Sequence, residues 1–190
     1  AYSQFANFKV KNKIENKIIF LNSINFFLKK NLISILDLKK KNLSFHARYK
    51  AKSRTYEYLI INRHGTVSIN KNRAWHVKKK IDLNLLEKGS RIFQGTHDFS
   101  TFRAASCSAK SPIKNMKKIK ITKKNDIIKI SLSSKSFLQN QVRSMVGCLI
   151  YLSTNKWSFV DFIRAFRSKK RVNCAPPAPA CGLYLKKVIY

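Results

Sequence analysis

Acidic residues are scarce in this sequence: eight Asp and Glu stand against forty Lys and Arg, a formal net charge of +32. An imbalance of that size is hard to reconcile with a main partner other than a polyanion, most often nucleic acid. Thirty of the forty cations are Lys, and Asn and Ile are also abundant. An A/T-biased genome produces that pattern, so part of the lysine excess is compositional drift. The ten Arg are the better guide to specific contacts, because the planar guanidinium grips phosphate or carboxylate through two parallel hydrogen bonds.

Cysteine is sparse and unpatterned. Cys107, Cys148, Cys174 and Cys181 show no Cys-x-x-Cys spacing, and the four His are scattered, which argues against a zinc site. With no secretory signal, reduced thiols in a cytoplasmic protein are the expected state. No stretch of about 20 uncharged apolar residues spans a membrane. Hydrophobic residues make up 44% of the 190, a globular content with enough chain for one large or two small domains.

One long segment is almost free of charge. Residues 136–155 carry a single ionic side chain, Arg143. At 3.6 residues per turn, Leu138, Val142, Met145, Leu149 and Leu152 share one helical face. Arg143 points elsewhere, into the sector of Ser136, Gln139, Asn140 and Gly147. Gly147 removes a side chain where another backbone or a ligand could approach. A guanidinium keeps its proton, so burying it on so apolar a helix calls for an anionic partner.

The remaining pattern predicts strands at Tyr2–Val10, Leu32–Leu38, Ser53–Ile61, Lys117–Lys123, Asp126–Leu132 and Gly182–Tyr190, with a hairpin about Asn125-Asp126. It predicts helices at Ser23–Asn31, capped by Ser23, at Asp82–Gln94, where Gly89 weakens the spacing, and near Ser158–Arg167. Gly95–Ala105 reads as an ordered loop and Ala175–Ala180 as an extended connector. Without strict βαβ alternation, these elements imply an α+β fold: a mostly antiparallel sheet flanked by helices.

Four runs, in order along nearly the whole chain, resemble the tRNA pseudouridine synthase A family. They are Phe45-His-Ala-Arg48 with Ser53-Arg-Thr-Tyr-Glu-Tyr58, Gly95-Thr-His-Asp-Phe-Ser-Thr-Phe-Arg103, the Ser136–Gly147 helix, and Ala178-Pro-Ala-Cys-Gly-Leu-Tyr-Leu185. The resemblance implies two ferredoxin-like halves of the pseudouridine synthase fold, the first incomplete. Residues 1–65 would be the remnant of the N-terminal half and residues 66–190 the half that completes the cleft. It further implies an isomerase that converts uridine to pseudouridine in the anticodon stem-loop of tRNA. Such enzymes use no metal or organic cofactor and work as homodimers with the RNA crossing both subunits.

The family's catalytic aspartate lies in a Gly-Arg-Thr-Asp-Ala-Gly-Val-His run that these 190 residues lack, and Ala1–Phe8 resembles what directly follows it. The expectation is an N-terminally truncated member that binds tRNA and makes no product alone. By the same resemblance, Arg143 pairs with the catalytic carboxylate. Tyr56 stacks on the target base and is placed to remove its C5 proton, and Leu183 walls the pocket against water. Arg48, Arg54 and Arg103 are read as phosphate or tRNA contacts, and Tyr58 as packing. Asp98 is expected to order its own loop rather than to serve with His97 as a base. The lysine pairs and triples, such as Lys39–Lys41 and Lys78–Lys80, supply a salt-sensitive attraction to phosphate. Two readings compete: a non-catalytic basic RNA-binding or ribosome-associated protein, and a hydrolase built on His97 and Asp98.

Overall fold

The run Ser-Arg-Thr-Tyr-Glu-Tyr-Leu-Ile-Ile-Asn is rich in β-branched and aromatic side chains, and Ser53–Asn62 forms the strand (β1) on which the sheet is assembled. A computed structural model describes residues 1–190, which divide into two units: residues 5–50, and residues 1–4 with 51–190. Lys17–Leu28 (α1) is the helix of the smaller unit. The larger unit adds the strands Trp75–Val77 (β2), Gly95–Asp98 (β3), Ile113–Lys124 (β4), Ile127–Ser134 (β5) and Leu183–Ile189 (β6). Its helices are Leu83–Ile92 (α2), Gln141–Ser153 (α3) and Phe159–Arg167 (α4).

The sheet runs β2-β1-β5-β4-β3, and β6 also pairs with β1. One edge of β1 is therefore shared, β6 lying antiparallel along residues 53–58 and β2 parallel along residues 60–62. β5 occupies the other edge. Apart from β1 with β2, every pairing is antiparallel, as the alternation predicted. The β4–β5 hairpin turns on Asn125 and Asp126, and Asn125 takes the positive φ of 55° that the tight reversal requires.

Register decides which face is covered. Tyr58 opposes Ile130 and Ile60 opposes Ile128, so these side chains point the same way, and all four are fully buried. Val142, Met145, Leu149 and Leu152 of α3, Leu86 of α2 and Phe162 of α4 complete that core. Each such side chain contributes about 1.5–3 kcal/mol through the apolar surface it removes from water. Gly89 lowers the helix propensity of α2, but a Cβ there would lie 2.6 Å from Leu152, so glycine lets α2 pack against α3. Asp82 caps α2, and Ser158 with Asp161 forms a capping box on α4.

The smaller unit departs from expectation. Its helix begins at Lys17, because the Asn16 side chain accepts from the Ile18 and Ile19 amides; Ser23 lies inside the helix and donates to the Ile19 carbonyl. Leu32–Leu38 forms no strand. Asn25 supplies both bonds to the Ile35 backbone that a neighbouring strand would have made. Tyr2–Val10 is not a strand either, although the amides of Tyr2 and Ser3 both donate to the Leu185 carbonyl on β6. Within the expected Gly95–Ala105 loop, residues 95–98 are β3, paired with β4. Alternating apolar residues form a ladder only where a partner edge is on offer.

Candidate active site

α3 begins after Asn140, which turns into it with a φ of 61°, and two residues into the helix comes Arg143. Its side chain is partly buried. The Nε donates to the Ala178 carbonyl at 2.7 Å, and the Ala178 amide returns a bond to the Arg143 carbonyl at 3.0 Å. This reciprocal pair ties α3 to the proline-rich segment 175–180. Gly147, one turn on, makes the approach possible: a Cβ there would sit 2.1 Å from the Pro176 carbonyl oxygen. The backbone approach anticipated from the glycine is therefore that of this segment. From the sheet, Tyr58 donates its hydroxyl to the Pro179 carbonyl at 2.6 Å. Burial raises the Tyr58 pKa well above its usual range, with Cys181 adding to the rise and the Arg143 charge opposing it. Tyr58 thus stays a neutral donor.

The rest of the guanidinium has little to do. Its Nη1 reaches Asn140 Oδ1 only at 3.5 Å, and it takes part in none of the chain's ion pairs. Seven of the eight acids are committed elsewhere. Asp37, Glu57, Glu87 and Asp126 pair with Lys17, Lys186, Arg91 and Arg63. Asp82 and Asp161 cap helices, and Asp98 accepts from Ser100. Glu15 is exposed and belongs to the smaller unit. A partly buried cation with N–H groups to spare is equipped to take an oxyanion, carboxylate or phosphate, side-on.

Tyr56 lies two residues before Tyr58 on β1, so its ring points to the same face, as alternation requires. It is partly buried, opposes Leu132 on one side and Leu185 on the other, and meets the Phe137 ring edge-on at 5.0 Å between centroids. Leu183 opposes Tyr58 on β6 and is partly buried on that same face, diagonal to Tyr56. Burial raises the Tyr56 pKa, with the Arg54 charge working against it. Tyr56 and Leu183 thus share one face of the sheet. Arg143 connects to that face through Ala178, Pro179 and Tyr58.

A family model described as tRNA pseudouridine synthase matches residues 90–190. The chain is 54% identical, over all 190 residues, to a tRNA pseudouridine synthase A of Pelagibacter ubique, and covers 77% of that protein's length. It is 38% identical over 168 residues to the tRNA pseudouridine synthase A of Maricaulis maris, covering 68% of it. The chain belongs to the tRNA pseudouridine synthase family. A relative in Caulobacter sp. K31 is 37% identical over 170 residues, or 90% of this chain.

In this family member the other arginines are placed unequally. Arg54 is on β1 beside Tyr56, with Nη1 donating to the Lys135 carbonyl at 2.8 Å. Arg103 spends Nη2 on the Cys107 and Ala109 carbonyls, at 2.7 and 2.8 Å, and so closes its own loop. Arg48 lies in the smaller unit, 5.7 Å from the centre of the Tyr49 ring. Asp98 orders its loop through the amide and hydroxyl of Ser100, as expected, while His97 Nε2 lies 2.6 Å from the Gln94 carbonyl. The two form no acid–base pair. No group of three His, Cys, Asp or Glu is placed to hold a metal ion. Sequence reasoning missed Phe137 as the neighbour of Tyr56 and the hydroxyl of Tyr58 as a support. The three prolines of residues 175–180 were the available signal for the second, since their carbonyls need donors from elsewhere.

Proposed function

We propose that this chain supplies the uridine-binding wall of an isomerase that converts uridine to pseudouridine in the anticodon stem-loop of tRNA. One observation carries the reading: Arg143 is held at Nε by Ala178, and seven of the eight acids serve other partners. By the family resemblance its mate is the catalytic aspartate of the Gly-Arg-Thr-Asp-Ala-Gly-Val-His run, kept ionised by the guanidinium. With that carboxylate at C1′, the glycosidic bond to N1 breaks, the freed base turns, and C5 bonds to C1′. C5 then loses its proton and N1 ends with one, so that atoms balance and no cofactor enters. Tyr56 provides the aromatic platform that replaces lost stacking, and it is placed to remove the C5 proton. Leu183 keeps water from the open C1′. Arg48, Arg54, Arg103 and the lysines track the phosphates. The family resemblance supports a cytoplasmic homodimer with the RNA crossing both subunits.

The test is a conversion assay on anticodon stem-loop RNA. The 190 residues alone should bind the RNA and make no pseudouridine. The same residues joined to a segment bearing the Gly-Arg-Thr-Asp-Ala-Gly-Val-His run should make it. Product from the 190 residues alone would overturn the assignment of an external carboxylate. The competing reading, a non-catalytic RNA-binding protein, rests on the net charge of +32 and predicts binding without product from either form.

A further inference from the structure

Two of the four cysteines face each other. Cys148 lies on α3, one residue after the glycine that admits the segment 175–180, and Cys174 lies just before that segment. Their sulfurs are 3.5 Å apart. The other two thiols have no sulfur neighbour: Cys107 accepts from the Gln139 amide, and Cys181 lies 3.6 Å from the Ala74 carbonyl. We propose that Cys148 and Cys174 form a reversible oxidation site, in which a peroxide-class oxidant converts the facing thiols to a disulfide that locks α3 to the proline segment.

The surroundings suit an attacking and a resolving thiol. Cys174 is partly exposed, whereas Cys148 is 1% exposed. A hydrogen bond from Cys148 holds the Cys174 thiol below its usual pKa, with burial opposing and the Arg171 guanidinium assisting. Arg171 is itself anchored, its Nη1 lying 3.1 Å from Ser144 Oγ on α3. Cys148 is pushed the other way, by its bond to Cys174 and by burial. It therefore enters as the thiol.

In the first step the Cys174 thiolate attacks one peroxide oxygen, the O–O bond breaks, and hydroxide leaves. Cys174 is then a sulfenic acid, oxidised by two electrons. In the second, the Cys148 sulfur attacks the Cys174 sulfur, and the sulfenic oxygen leaves as water with the proton Cys148 gives up. Two thiols and one peroxide become one disulfide and two waters. The sulfurs must close from 3.5 Å to about 2.05 Å, a distance within reach of side-chain rotation. The bridge would tie the helix that carries Arg143 to the segment that carries Ala178, the residue Arg143 clasps.

Cys181 shares a tryptic peptide with Cys174, because Lys186 is the first cleavage point after Arg171. The experiment therefore uses the chain with Cys181→Ser, reduced, treated with hydrogen peroxide, alkylated and digested. The expected product is a cross-link between peptides 144–156 and 172–186, lighter by two hydrogens and released by dithiothreitol. With Cys174→Ser added, the cross-link should vanish and Cys148 should alkylate on denaturation as an intact thiol. With Cys148→Ser instead, Cys174 should be trapped by dimedone as the sulfenic acid. A cross-link running to Cys107, or Cys174 alkylated intact after peroxide, would overturn the proposal.

Discussion

Arg143 spends one nitrogen on the Ala178 carbonyl and keeps the planar end of its fork in reserve. If that end serves a carboxylate, Lys cannot replace it, because a point charge on a flexible stem does not orient two oxygens at once. In the isomerase competent for turnover, Arg143→Lys and Arg143→Ala should each lower the rate by about a hundredfold or more, the scale of a lost charge-assisted contact in a dry site. Affinity for the RNA should change only a few-fold, by filter binding. Equal losses in rate and affinity would make Arg143 a phosphate contact instead. Gly147 is tested by stability. Alanine would gain about 1 kcal/mol of helix propensity there, but its Cβ would lie 2.1 Å from a backbone oxygen that cannot rotate away. The clash wins, and Gly147→Ala should cost about 2–4 kcal/mol in urea unfolding. Gly65→Ala, with nothing within 4 Å, should stay within about 0.5 kcal/mol.

Among the elements, α4 has the most local reason to exist. Ser158 accepts from the Asp161 amide while its own hydroxyl and amide donate to the Asp161 carboxylate. Removing the cap with Ser158→Ala should cost about 1 kcal/mol at pH 7. Those same bonds from Ser158, with Arg164 assisting against slight burial, hold the Asp161 pKa below its ordinary value. A depressed carboxylate stabilises the fold above its unfolded pKa and loses that contribution as pH falls through the folded one. The Ser158→Ala penalty should therefore shrink below about pH 4. A penalty unchanged down to pH 2 would mean that Asp161 is not part of the cap. α1 shows the contrary case. Phe26 and Phe27 fall in the expected Ser23–Asn31 helix, yet they and Ile18 and Ile19 are each more than 60% exposed, because nothing in the smaller unit covers them.

At the scale of the whole molecule, charge governs encounter and packing governs the site. Forty cations cannot all touch one stem-loop, and most lie on solvated faces, as Lys118, Lys120 and Lys129 do on the sheet side away from the helices. If about five phosphates are neutralised, RNA affinity should fall roughly a hundredfold between 50 and 200 mM salt. Turnover at saturating RNA should hardly change over that range. A flat salt response would show that the lysines are compositional and that the RNA is held by other contacts.

Periodicity alone specified α2, α3, α4, β1, the β4–β5 hairpin and β6, because each has enough residues for its apolar spacing to stand out. It also singled out Arg143 and Gly147, since one charge and one missing side chain are conspicuous on an apolar helix. β2 and β3 were invisible: three or four residues carry no period, and they are strands only because β1 and β4 offer free edges. Tyr58 as support of the Pro179 carbonyl, Phe137 beside Tyr56, and Cys148 against Cys174 are contacts between residues 26 to 121 positions apart. Such distances are closed by the packing of the sheet against α3, and no local pattern encodes them.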